Sequence, residues 1–160
     1  MNKLAMSVAV LAAALTAPAV SHAQDWYTGA SYTHYDFDGT TLGGVTGRLG
    51  YKFTPNLALE GEGTIGVKND TNAELDNAYG LYGVGTVPVT SNLDVFGRVG
   101  YQKVDVNGRG GAPGFTQDGV GYGAGATFHV TDSLGIRGEY TRLDGDRDAD
   151  TFSLGGSVRF

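Results

Sequence analysis

Seven charged residues fall at positions that alternate with apolar residues or glycine: Arg48, Glu60, Glu62, Asp94, Arg98, Arg137 and Glu139. Their types suit one kind of chemistry above others. Arginine's planar fork bonds carboxylates two at a time, so these groups could form one connected Arg–carboxylate network in a confined interior. Nucleophilic catalysis is poorly supplied. There is no Cys, and beyond the first segment the histidines are His34 and His129. Thr131, not Ser, lies two residues past His129, and no Ser–His–acid set converges. Asp144, Asp146, Asp148 and Asp150 alternate in one stretch. Carboxylate oxygens suit a hard cation such as Ca²⁺, but the stretch lacks the turn Gly and terminal Glu of such a loop. A solvated acidic loop with no bound metal is the expectation.

The elements that position these groups are visible in a three-fold repeat. Phe53-Thr54-Pro55-Asn56-Leu57, Val89-Thr90-Ser91-Asn92-Leu93 and Val130-Thr131-Asp132-Ser133-Leu134 share a tight-turn composition between two apolar residues. The intervals fit two strands, a turn and a loop, so the repeated unit is a β-hairpin. After each turn, Leu57, Leu59 and Gly61 match Leu93, Val95 and Gly97, and Leu134, Ile136 and Gly138, while charges occupy the alternate positions. Period-two alternation of this kind marks strands between two unlike environments. It predicts eight strands at about 26–36, 43–53, 57–67, 78–88, 93–103, 118–129, 134–143 and 151–160. Loops are expected at 37–42, 68–77, 104–117 and 144–150.

The first segment reads as an address. Lys3 precedes an apolar run from Leu4 to Leu15, and Ser21-His22-Ala23 offers small residues where a signal peptidase cuts. Residues 1–23 are expected to be a signal peptide cleaved after Ala23, leaving 24–160 as one domain. The chain has 160 residues, 27 of them Gly, and a net charge of −6. That charge argues against nucleic acid as a partner.

Which face of the strands points outward follows from size. The charge-bearing face also carries Gly29, Ser31, Gly44, Gly50, Gly121, Gly123, Gly125, Gly155 and Ser157. A narrow eight-stranded lumen needs small residues; a solvent face does not. Tight turns at one end and longer polar loops at the other match the short periplasmic turns and long external loops of outer-membrane barrels. The apolar face should therefore meet lipid. Trp26, Tyr51, Phe53, Phe128 and Phe160 form an expected aromatic girdle near the turn end, with Tyr32, Tyr79, Tyr101, Tyr122 and Tyr140 nearer the loops.

Five segments then carry a family resemblance: Trp26 to Ala30; Gly50 to Asn56 leading to Glu60; Pro88 to Arg98; Arg137 to Tyr140; and Ser153 to Phe160. In this order they resemble the transmembrane domain of outer membrane protein A. The resemblance implies an integral barrel of the Gram-negative outer membrane, placed by the assembly machinery through a C-terminal strand ending on Phe160. It implies outer-membrane lipid and lipopolysaccharide as surroundings, and a Glu60–Arg137 lumen pair. The family's second pair, Lys–Glu, falls on Val84 and Thr127 and is missing. The chain ends with its barrel, so a cell-wall tether is not expected.

The resulting expectation is an all-β, eight-stranded antiparallel up-and-down barrel with a polar, side-chain-filled lumen. It is monomeric, without cofactor or enzymatic activity, and has a structural or surface-interaction role with an unidentified external ligand. Two alternatives stand beside it. One is a low-conductance channel gated by Glu60–Arg137. The other is a lipid-modifying enzyme, for which His34→Ala would abolish lipid turnover. A divalent cation bridging the Asp144–Asp150 stretch to anionic headgroups is a further possibility.

Overall fold

The structure, a computed structural model, describes residues 26–37, 40–68, 73–108, 111, 113–145 and 148–160. Eight strands follow one another: β1 (Trp26–Phe37), β2 (Thr40–Lys52), β3 (Leu57–Lys68), β4 (Ala73–Pro88), β5 (Leu93–Gly108), β6 (Phe115–His129), β7 (Leu134–Gly145) and β8 (Ala149–Arg159). Each pairs antiparallel with its neighbours in sequence, and β1 pairs with β8 to close a barrel. Closure removes the unpaired edges that an open sheet would present.

The repeated turn explains itself once folded. In each copy the first residue's N–H donates to the fifth residue's carbonyl, at 3.0 Å for Phe53–Leu57 and 2.8 Å for both Val89–Leu93 and Val130–Leu134. The Thr in second place accepts backbone N–H groups with its side chain. Thr54 Oγ1 accepts from Leu57 at 3.0 Å, Thr90 Oγ1 from Asn92 at 3.3 Å, and Thr131 Oγ1 from Leu134 at 3.0 Å. A carbonyl in each turn then accepts from the next hairpin: Asn56 from Thr86, Asn92 from His129 and Ser133 from Arg159. The turn end is thus stitched around its circumference.

The outer and inner faces are inverted relative to a soluble protein. Leu154, Val87, Phe53, Val99 and Leu81 lie outward and exposed, with Leu154 at 67 %. Arg48, Glu60, Arg98, Arg137 and Glu139 lie inward, with Glu60 at 0 %. A continuous apolar belt of this extent suits hydrocarbon, not water.

The strands run further toward the loop end than expected, most of all β4, β5 and β6. Residues 104–108, 115–117 and 73–77, expected in loops, are strand. Leu75, Val104 and Val106 turn inward there and bury completely or nearly so. The pairing slips between Leu75 and Asn77, a bulge that shifts the two-residue phase of β4. That slip breaks the alternation in the sequence and hides the strand's extension.

Candidate functional site

The lumen is layered. At mid-height three arginines meet three glutamates. Arg48 and Glu62 are direct cross-strand partners on β2 and β3, 3.1 Å apart. Arg98 of β5 reaches Glu62 at 2.8 Å and Glu139 of β7 at 2.6 Å. Arg48 also bonds Glu139 and lies 3.5 Å from Glu60. Arg137 grips Glu60 with two nitrogens, at 2.6 and 3.1 Å, and Glu139 at 2.9 Å. The six groups are matched in charge, and every side chain is 8 % exposed or less. Burying such ions is tolerable only with this degree of mutual pairing.

Aromatic rings complete the layer, and they rest on glycine. Arg98 lies 3.5 Å over the Tyr82 ring and Arg137 lies 3.9 Å over the Phe96 ring, distances at which a cation is attracted to a ring face. The Tyr27 hydroxyl donates to Glu60 at 2.5 Å. Each ring covers a glycine: a Cβ on Gly50 would stand 2.1 Å from Tyr27, on Gly121 2.6 Å from Tyr82, and on Gly125 2.5 Å from Phe96. The small residues of the inner face make room for particular rings.

Toward the loop end a hydroxyl belt follows. Ser153, Thr33, Thr46 and Thr64 join at 2.6 to 2.7 Å. The Tyr35 hydroxyl donates to Thr64, Gln102 donates to Tyr35, and the Tyr82 hydroxyl donates to Gln102 at 2.6 Å. Above the belt the lumen turns apolar. Phe37, Leu42, Leu75, Val104, Val106 and Leu143 pack together with Tyr35, Ala78 and Ala149, and Phe115 leans on them. This cap was not legible in the sequence, where its residues fell in expected loops or at strand ends. The threonines could have been found, since Thr46, Thr64 and Thr141 share the face of the charges, each one inward position further toward the loop end.

Of the seven expected lumen charges, six meet. Asp94 does not join them. It sits near the turn end, where its Oδ2 lies 2.8 Å from His129 Nε2, because β5 places it two inward positions below Arg98. His34 lies on the lipid-facing surface of β1 between Tyr32 and Asp36, partly buried. The girdle residues Trp26, Phe53 and Phe128 are exposed, and Tyr51 packs 4.9 Å from Trp26 and 5.4 Å from Phe53. The Phe160 N–H donates to the Trp26 carbonyl at 3.0 Å, continuing the closing ladder. In the acidic stretch, Asp148 and Asp150 bond Arg142 at 2.7 and 3.1 Å and so face a cation of the protein's own. Asp144 is exposed, while Asp146 and Ala23 lie outside the described residues. Among the described residues no group of three or more His, Asp or Glu is placed to hold a metal ion.

The comparisons agree with this geometry. No curated protein matches the chain. Several solved structures share the fold. The N-terminal β-barrel domain of Pseudomonas aeruginosa OprF superposes with a TM-score of 0.67 at 16 % identity, over 86 % of this chain and 98 % of that one. Neisserial surface protein A gives 0.63 at 16 %, over 85 % and 97 %. Ail, the attachment invasion locus protein of Yersinia pestis, gives 0.61 at 17 %, over 84 % and 96 %. A family model described as the outer membrane protein beta-barrel domain matches residues 5–160. The chain belongs to that family and is an integral outer-membrane β-barrel of the eight-stranded kind.

Proposed function

We propose that this barrel is a non-conducting envelope protein whose role is carried by its external end, as a structural or surface-interaction protein. The observation that carries the reading is double closure of the lumen. A solute entering from outside meets the apolar cap around Leu42, Val104 and Leu143, each fully buried. One entering from the turn side meets the six-charge layer, which pairs its members so fully that no mobile charge is free. An eight-stranded interior is just wide enough to be filled by side chains. In a barrel of this family, short turns face the periplasm, so the cap is external.

The gated-channel reading has one observation in its favour, the exposure of Arg137 to a cavity at the turn end. Opening the Glu60–Arg137 contact would still leave the apolar cap in the path. Single-channel recording of refolded barrel in a planar bilayer tests the choice, with Arg137→Ala alongside. Both chains are expected to be silent once insertion is verified. Discrete openings that Arg137→Ala alters would put the channel reading first.

The external end has its own chemistry. Among the described residues, Asp36, Asp76, Asp105, Asp118, Asp144, Asp148 and Asp150 stand near the loop end of the strands, against Lys68, Lys103 and Arg142. Ail of Yersinia pestis is known in complex with the heparin analogue sucrose octasulfate. An acidic rim repels such a polyanion, so a surface role here calls for a neutral or cationic partner.

A further inference from the structure

The turn end of the lumen holds a small open pocket. A small cavity of about 50 Å³ opens there toward solvent. Its inner end is closed by Arg137, which covers the Phe96 ring, and by Tyr27. Thr86, Thr127, Ser133 and Ser157 line its wall, and Asp94 and His129 line it as well.

Two cations also line this cavity, Lys52 and Arg159. They end β2 and β8, the two strands that flank the start of β1. Tyr27 pairs with Gly50 on one side and with Arg159 on the other, so both cations arrive at the same stretch of rim. Both are half-buried. Neither forms an ion pair among the described residues. Asp94, which shares the cavity wall, is held by His129 at 2.8 Å. Each arginine of the charged layer, by contrast, has at least two carboxylate partners. Two like charges gathered in one concavity repel each other, and an anion seated between them removes that cost. In a chain of net charge −6, a cationic concavity is not a by-product of overall composition.

We propose that this vestibule binds a small tetrahedral oxyanion of the phosphate class. Lys52 and Arg159 neutralise its charge, and the hydroxyls of Thr86, Thr127, Ser133 and Ser157 donate hydrogen bonds to its oxygens. Charge-assisted bonds of this type are about twice as strong as neutral ones. The closed inner end makes the vestibule a binding site and not an entrance. Free phosphate and the phosphate of a neighbouring lipid headgroup share this chemistry. The inference is independent of whether the lumen conducts.

The test is a titration of refolded, isotope-labelled barrel in octyl glucoside, a phosphate-free detergent, with inorganic phosphate against chloride at matched ionic strength. Amide shifts at Thr86, Thr127, Gly135 and Ser157 should saturate with phosphate and not with chloride. Lys52→Gln with Arg159→Gln should weaken binding by roughly tenfold or more, which corresponds to about 1.4 kcal/mol. Lys52→Arg should retain it, as should Lys103→Gln at the other end of the barrel. Lys52→Gln alone, the milder change, should weaken it in the same direction. A second arm places the chain in phosphatidylglycerol nanodiscs without added phosphate. Shifts already at their saturated positions identify a headgroup as the source, and shifts that still respond to added phosphate identify the free anion. Shifts that do not saturate, that chloride reproduces, or that survive loss of both cations overturn the proposal.

Discussion

Arg137 touches two carboxylates and a ring, so its contribution is not divisible into single contacts. Removing it leaves Glu60 buried with one partner fewer, and an uncompensated buried charge typically costs about 3–5 kcal/mol. Arg137→Met is therefore expected to lower the urea midpoint of the refolded barrel sharply. Glu60→Leu in the same chain should recover part of that loss, because the remaining two arginines and two glutamates are again matched. A double variant no more stable than Arg137→Met alone would show that the layer cannot lose any member. The glycines beneath the rings allow a second test. Gly121→Ala would place a Cβ 2.6 Å from the Tyr82 hydroxyl, and that hydroxyl is fixed by Gln102. Overpacking of this kind costs about 1–3 kcal/mol, and thermal melting should show it. Ala at Gly61, which meets nothing within 4 Å on the outer face, is the control and should melt like the parent. At this scale the sequence was half legible. Arg48, Glu62 and Glu139 could be placed inside by alternation, whereas the seats of Tyr27 and Tyr82 on particular glycines depend on strand register across the lumen.

The hairpin is the element on which this molecule is built, and its turn is its most repeated device. The second-place Thr of each turn is the common feature because its hydroxyl accepts N–H groups that the turn leaves without a strand partner. Thr131→Val keeps the shape and removes the acceptor. It should cost about 0.5–1.5 kcal/mol, the net worth of an ordinary hydrogen bond, with Thr131→Ser close to the parent. Equilibrium unfolding in lipid checks both. The β5–β6 hairpin carries a different lesson. Its polar and glycine-rich tip reads as loop from residue 104, yet pairing continues through Val106 and Phe115. Local composition argued for loop, and burial of Val104 and Val106 in the cap argued for strand. Burying such a side chain is worth about 1.5–3 kcal/mol, which outweighs an unfavourable neighbouring residue.

Among the described residues, charge is sorted along the barrel axis: matched in the middle, with two unpaired cations beside the Asp94–His129 pair at the turn-end cavity, and mostly acidic near the external ends of the strands. Retention on immobilised heparin at low ionic strength measures the consequence for partners. The refolded barrel is expected to pass through unretained, and retention that survives Lys52→Gln with Arg159→Gln would place the binding surface away from the turn-end cavity. Binding residues concentrate on loops mounted on a rigid scaffold, and a closed barrel supplies such a scaffold here.

Alternation, turn composition and the small inner face determined the architecture from the sequence alone: eight antiparallel strands, a lipid-facing belt and an inward set of charges. These are local consequences of a two-residue period, and a period survives in one dimension. The tertiary structure alone decided which charges meet. Asp94 shares the face of the network but not its height, and height across a closed barrel is set by the register of all eight strands together. It alone revealed the cap as well, because the bulge after Leu75 changes the phase of β4, and only pairing with β5 restores Leu75 to the interior. The gathering of Lys52 and Arg159 has the same origin: residues from β2 and the end of the chain become neighbours only when β8 closes on β1.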